Sequence, residues 1–260
     1  MKRLRLKLKS GIDSVLNSYA QIFFSDGKLL GLALLLVSFF NFNAGLSGVI
    51  AIFSAHLVAL FVGLNKVKIV NGLYGFNSLL VGLGLGIFYQ FNGQLLMLVI
   101  FASVLTLFIT VVTEAILNKY SLPFLSLPFL IGMWIVTLAS RHYANLEISE
   151  LGVYAYNDMV LLGGDRLFNL HLAIHDWSIP ASIELYFISL GAIFFQYNIY
   201  AGFIIAVALL FNSRISFLLS LLGFYSALAY YQFIGASFEE LNYSYIGFNF
   251  ILTAIAVGGY

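Results

Sequence analysis

Apolar residues along this chain come in long runs that no charge interrupts. Residues 29–65, 69–113 and 120–140 contain no Asp, Glu, Lys or Arg, and about 20 such residues suffice for one helical crossing of a bilayer. Turn-forming breaks at Asn41 to Asn43, Asn65 to Gly72, Asn92-Gly93 and Asn118 to Ser121 divide the first half into five predicted crossings. These fall at about 28 to 41, 44 to 64, 73 to 90, 93 to 117 and 122 to 140. The first is short for a span and suits a tilted helix or part of a broken one. The pattern predicts an all-α polytopic membrane protein with most of its length in lipid.

Composition agrees, with 62% of the 260 residues hydrophobic and 9% charged, where about 25% charged is usual for a soluble protein. Twelve Lys and Arg against eleven Asp and Glu give a net charge of +1, so there is no basic field to hold nucleic acid. With no cysteine, disulfides, thiolate metal sites and cysteine nucleophiles are excluded. Twenty-three glycines and three prolines suit closely packed membrane helices.

Lys and Arg in short loops stay cytoplasmic. Five of them lie in the N-terminal MKRLRLKLK; with that end inside, Lys66, Lys68 and Lys119 also fall inside, and 141 to 180 falls outside. Asp13, Asn17 and Gln21 interrupt the apolar region of residues 1 to 24 and no small-residue cleavage site follows, which argues against a signal peptide.

The second half repeats the first. Gln21-Ile-Phe-Phe24 through Gly31 aligns with Ala192-Ile-Phe-Phe195 through Gly202 at an offset of 171, and Phe53 with Phe224. Gly75-Phe-Asn77, Leu80 and Gly86 align with Gly247-Phe-Asn249, Leu252 and Gly258 at an offset of 172. Five intervening crossings make the copies inverted, an arrangement that puts a solute site at their interface near the midplane. Arg214 inside and Glu239-Glu240 outside fit the inverted copy. The expected division is a basic cytoplasmic tail at 1–10, a first repeat at 11–140, an extramembrane linker at 141–180 and an incomplete second repeat at 181–260.

The octet Leu122-Pro-Phe-Leu-Ser-Leu-Pro-Phe129 holds two of the three prolines, and its partner would fall near residue 294. The chain is therefore expected to be a fragment of a longer one, the alternative being a shortened protein that lost half of a symmetric pore. Each proline lacks an N–H and obstructs the helical bond to the carbonyl one turn back, leaving acceptors at membrane depth that are tolerated where they line a cavity. Such oxygens suit a solute rich in N–H donors, or a cation; the plainer alternative is a proline kink facing lipid.

The segment Gly72-Leu-Tyr-Gly-Phe-Asn-Ser-Leu-Leu-Val-Gly82 and the octet, Leu-Pro-x-x-Ser-x-Pro-Phe, resemble the urea transporter family, whose second pattern is Leu-Pro-x-x-Thr-x-Pro-Phe. Gln21, Ile22 and Phe24, and Ile246-Gly-Phe-Asn-Phe-Ile-Leu-Thr-Ala254, extend the resemblance over roughly 11 to 260, with a poorly matched linker at 141 to 180. It implies a passive channel for urea or a similar small neutral amide, a homotrimer, no cofactor, and residence in a bacterial inner membrane. By motif, the resemblance assigns a flat slot to Phe76 and Leu80 in the first half and to Phe248 and Leu252 in the second. It assigns Gln21 to one mouth with Ile22 and Phe24 beside it, and Ser126 to the central threonine. Two positions depart from the family. Ala192 stands where a second Gln or Glu is expected and can neither donate nor accept through its side chain, while Ser126 keeps the hydroxyl but loses a methyl.

Urea has four N–H donors, one strong acceptor and no charge, so apolar ring faces can strip its water only where fixed oxygens replace the lost hydrogen bonds. No ionisable residue lies in the assigned slot.

Other residues have plainer readings. His171 and His175, four apart beside Asp176, lack a clear third ligand for a metal. His56 reads as a neutral packed histidine rather than a proton relay, Glu114 as an interfacial partner of Lys119, and Gly82, Gly84 and Gly86 as a helix-packing face. An intramembrane enzyme would need a nucleophile with a base or a metal cluster, which the spans lack. An ion-coupled transporter and a membrane anchor for a further soluble domain remain as alternatives.

Overall fold

The computed structural model describes residues 2–141, 143, 146–149, 180–235 and 247–259, with backbone alone for 2–10. Its helices are α1 (Lys2–Ala20), α2 (Lys28–Ser38), α3 (Phe42–Phe61), α4 (Lys66–Val70), α5 (Phe76–Phe88), α6 (Gly93–Leu117), α7 (Leu127–Ser140), α8 (Ala181–Ala192), α9 (Ile199–Asn212), α10 (Arg214–Phe233) and α11 (Gly247–Gly258). Single 3-10 turns follow α1 at Gln21–Phe23 and α6 at Asn118–Tyr120. Among the described residues there is no strand beyond one isolated bridge, Tyr89 to Ile148.

The asparagines that mark breaks in the sequence start helices here. The side chain of Asn41 accepts from Ala44 N, that of Asn65 from Val67 N and that of Asn92 from Leu95 N, at 2.8 to 3.0 Å. Each satisfies one of the donors a helix start leaves unpaired. Asn198 and Ser213 do the same for α9 and α10.

Three described helices are long and apolar enough to cross a bilayer: α3, α6 with its 3-10 continuation, and α10. The predicted crossing at 28 to 41 is the second limb of a bent pair, the broken helix that its shortness allowed, in which residues 11–23 and α2 meet at 86°. A salt bridge of 2.8 Å from Lys28 to Asp13 spans that bend. The thirteen residues of α5 rise about 20 Å, short of a hydrocarbon core of about 30 Å. The crossings predicted at 73 to 90 and 122 to 140 shrink to α5 and α7 because their first residues turn. Residues 73–75 form a turn after Gly72, which has φ 79°, and within 122–126 Leu125 has φ 43°, a value no right-handed helix accepts.

Small residues fix how closely the helices pack. A Cβ on Gly31 of α2 would run into the Leu16 carbonyl oxygen of α1, and one on Gly202 of α9 into the Phe187 carbonyl oxygen of α8. Both residues of the second pair lie 171 positions after those of the first. Between α3 and α5, Gly82 leaves room for the Ala51 methyl; between α10 and α11, Gly223 leaves room for Ala254. These pairs match at an offset of 172, with glycine and alanine exchanged. The alignment of Phe53 with Phe224 fails, since Phe53 is 56% exposed and Phe224 2%; Ile52, fully buried, occupies the Phe224 position at an offset of 172.

The two halves also touch at matching positions. α2 packs on α9, and the rings of Phe23 and Phe194, themselves 171 apart, stack with centroids 6.2 Å apart. Asn212 donates to Ser25 Oγ at 2.9 Å, and Gln196, the counterpart of Ser25, reaches the Ser38 carbonyl at 3.5 Å. One continuous core holds Phe76, Leu80, Ile22 and Phe23 from the first half and Leu190, Phe194, Phe224 and Ile251 from the second.

Candidate functional site

Gln21 to Phe24 and Ala192 to Phe195 fold into the same short turn. Phe24 N–H donates to the Gln21 carbonyl at 3.0 Å and Phe195 N–H to the Ala192 carbonyl at 2.9 Å. Both phenylalanines close their turn in the left-handed region, at φ 55° and 58°. A bulky side chain there is strained, and strain of this kind persists where surrounding packing holds it. Gln21 and Phe24 are half-buried while Ile22 is buried, so the Gln21 side chain keeps an open aspect. Ala192 is buried and brings no polar group to the equivalent place.

The octet is gripped from α5. Asn77, fully buried, donates through Nδ2 to the Leu125 carbonyl and accepts through Oδ1 from Phe129 N–H, both at 3.2 Å. The Phe124 carbonyl accepts from Leu127 N–H at 3.2 Å. These bonds correct the expectation that the prolines leave a row of open carbonyls by interrupting a helix. Pro128 sits in the first turn of α7, where its missing N–H has no helical partner to lose, and Pro123 lies outside any helix. Neither kinks a span. The acceptors of the octet not engaged by described residues are the carbonyls of Leu122 and Pro123. Ser126 is the N-cap residue of α7 by position, but its hydroxyl makes no capping bond.

Aromatic rings line this region from both halves. Phe76, at the start of α5, stacks on Phe124 with centroids 5.9 Å apart and planes at 29°. Phe195, from the second half, meets Phe129 edge-on at 6.3 Å, and its tip lies beside Gly84, 3.3 Å from where a Cβ would stand. Leu80 follows Phe76 one turn along α5. Phe248 and Leu252 occupy the same positions at the start of α11, half-buried against the core that contains Phe76 and Leu80. Sequence reasoning missed Asn77, Phe124, Phe129 and Phe195 as working parts. All four lay inside quoted motifs, and the signal available was that Asn77 follows Phe76 directly.

Two comparisons with known proteins bear on the family of the chain. Residues 12–260 match the family described as Urea transporter. The chain belongs to the urea transporter family. Urea transporter 1 of Mus musculus is 27% identical over 257 residues, covering 95% of this chain and 63% of the relative; that of Capra hircus is 28% identical over the same shares. The chain thus spans 63% of the length of these curated relatives. With three described helices long and apolar enough to cross a bilayer, it is a multi-pass membrane protein.

Two ionisable groups of α4 and α6 pair with each other. Glu114 pairs with Lys68 at 2.8 Å, not with Lys119 as its spacing suggested, and accepts from Tyr74 OH at 3.3 Å. The Lys68 ammonium also lies over the Tyr74 ring, 6.0 Å from its centroid. The hydrogen bond to Glu114 holds the Lys68 pKa above the usual lysine value. Its stabilisation is therefore complete at neutral pH and is lost only as pH rises through that raised value. Glycines 82 and 86 pack against α3, so the glycine-rich stretch is a packing face. His171, His175 and Asp176 lie outside the described residues, and among the described residues no His, Asp and Glu cluster could hold a metal.

Proposed function

We propose that the protein conducts urea, or a similarly small neutral amide, down its gradient through a path between two inverted halves. The observation that carries this reading is the aromatic region in which Phe76 stacks on Phe124 and Phe195 meets Phe129 edge-on, beside an octet held by Asn77. Rings strip water from a planar solute while Gln21, the Ser126 hydroxyl and the free octet carbonyls offer replacement partners. Phe248 and Leu252 supply the facing wall, with Ile22 and Phe24 beside the Gln21 mouth and Ala192 at the other. No charged side chain belongs to this set, which favours a neutral solute moving alone and requires no cofactor. The Phe23 and Phe194 stack supports the two-fold relation, because residues related by such an operation meet each other only at the axis. The resemblance adds a homotrimer in a bacterial inner membrane.

Stopped-flow uptake in lipid vesicles tests the reading. Urea should equilibrate without accumulating, at rates indifferent to sodium and to voltage, since an uncharged solute does no work against the field. Permeability equal to that of protein-free vesicles would sink the proposal, and accumulation driven by an ion gradient would replace the channel with a coupled transporter. Ser126→Ala should slow uptake by about fivefold, equivalent to one neutral hydrogen bond of about 1 kcal/mol; an unchanged rate removes Ser126 from the path.

The inferred orientation has the N-terminus, Lys66 and Lys119 in the cytoplasm and residues 141 to 180 outside. Because the chain has no cysteine, single replacements report sidedness directly. Lys66→Cys and Lys119→Cys should react with an impermeant maleimide only from the cytoplasmic face, and Glu147→Cys only from the other. Labelling of all three from one face would overturn the topology.

A further inference from the structure

The backbone that delivers Phe76 is closed in from two sides. Gly72 rests on the Asn17 and Ser18 backbone of α1, where a Cβ would come within 2.5 Å of the Asn17 carbonyl carbon, and Asn17 Nδ2 donates to the Val70 carbonyl at 2.8 Å. Gly75, the residue before Phe76, lies under Ser18 and His56; a Cβ there would run into Ser18 Oγ and stand 2.6 Å from the imidazole Nε2. The imidazole is buried and held by α1, with Nδ1 2.8 Å from Ser14 Oγ and Nε2 3.5 Å from Ser18 Oγ. Ser18 in turn donates to the Ser14 carbonyl at 2.8 Å. A flat ring bonded at one nitrogen, with a hydroxyl at the other, cannot turn without losing a contact, and its edge fixes how near the Gly75 backbone comes to α1 and α3.

The second half closes in the equivalent glycine without an imidazole, with the Phe224 ring 2.9 Å from where a Cβ on Gly247 would stand. Gly247, before Phe248, lies under Ser189 as Gly75 lies under Ser18. At the His56 position stands Leu228, 9% exposed. Ser189 Oγ is buried with no hydrogen-bond partner among the described residues. Its counterpart Ser18 Oγ bonds the Ser14 carbonyl of its own helix and faces the imidazole at 3.5 Å, a contact that Leu228 cannot offer Ser189.

We infer that His56, gripped by Ser14 and Ser18, is a positioning residue that fixes the Phe76 ring, so that the first half supplies the rigid wall of the path and Phe248 the compliant one. The inference deepens the urea-conducting reading and rests on it for its effect on transport. A rigid wall holds the flat solute at one separation from its partners; a wall free to shift lets the same contacts form less often. Loss of the imidazole should therefore weaken solute binding more than it slows passage.

His56→Leu installs the residue that the second half already carries, and it should raise the urea concentration for half-maximal flux by about fivefold, the effect of one neutral hydrogen bond, with maximal flux nearly unchanged. His56→Gln, which can still bond Ser14, should recover most of the loss. Ring placement is read separately by fluorine NMR of the protein carrying 4-fluorophenylalanine in place of Phe76 or Phe248. The Phe76 label should give one narrow line and the Phe248 label a broad one. His56→Leu should broaden only the first, and Leu228→His, which offers Ser189 a partner, should narrow the second. Ser18→Ala, the removal of a single oxygen, should broaden the Phe76 line and covers the case in which His56→Leu does not fold. If urea is conducted but neither the Phe76 line nor half-saturation responds to these changes, the positioning role is wrong; it is equally wrong if half-saturation moves while the line stays narrow. If the lines behave as expected and urea is not conducted, positioning stands and the transport reading falls.

Discussion

Alanine at Gly202 should leave a protein that does not survive extraction from the membrane as a folded unit. The methyl would occupy the space of the Phe187 carbonyl oxygen, and both sides of that contact are backbone, so no rotamer change relieves it. α8 and α9 would have to separate, and α9 would lose register against α2, one of the contacts that join the two halves. Overpacking of a tight core ordinarily costs about 1–3 kcal/mol, occasionally more; with no side chain able to yield, the upper end or beyond is expected. Gly31→Ala should behave alike, since its methyl would meet the Leu16 carbonyl oxygen. Gly93→Ala is the control, because a Cβ there meets nothing within 4 Å. Thermal unfolding in mild detergent, followed by size-exclusion chromatography, reads all three. A Gly202→Ala protein that melts with the parent would show that α8 and α9 are not packed this closely.

Phe76→Ala should abolish discrimination among neutral solutes. The ring is 4% exposed and stacks on Phe124, so its removal opens one wall and unpins the neighbouring ring. Differences of a methylene or two in an apolar site are worth about 1–3 kcal/mol, or 10–200-fold. The permeability ratio of urea to N,N'-dimethylurea should accordingly fall by about tenfold or more, chiefly through faster passage of the bulkier amide. Phe76→Leu, which keeps the wall filled, should fall between. A ratio unchanged by Phe76→Ala, in protein that still chromatographs as a single species, would place the selective step elsewhere. Phe248→Ala should have the smaller effect if His56 makes Phe76 the rigid side.

Much of this was readable in advance because membrane helices declare themselves by what they exclude. The crossing at 93 to 117 coincides with α6, and the asparagine breaks coincide with caps, since one side chain both ends a run of apolar residues and satisfies a helix start. Short crossings were overdrawn for a physical reason. Hydropathy cannot distinguish an apolar turn from an apolar helix, and Leu73, Phe124 and Leu125 are as greasy in a turn as in a span. The break after α1 was harder still, because Phe24 takes a backbone conformation that its residue type disfavours, and only packing from elsewhere makes that tolerable. Spacing along the chain pairs Glu114 with Lys119, the nearest cation in sequence; its partner in the fold is Lys68, from before α5. The aromatic motif residues could be named from the sequence, but which rings touch which depends on how the halves meet.

The grip of Asn77 on the octet has a consequence for how that segment can change. Its carboxamide holds main-chain atoms only, the Leu125 oxygen and the Phe129 nitrogen, and main chain is the same whatever residue carries it. Asn77 therefore enforces a shape and is blind to spelling. A serine for a threonine at position 126 passes without penalty at this contact, and so would any exchange that leaves the Leu125 turn intact. A change at Asn77 itself has no such latitude, since Asp loses the donor, Leu loses both ends, and Gln holds them one methylene too far out. Among the described residues, the side-chain hydrogen bonds to the octet's main chain thus come from one residue that lies outside it.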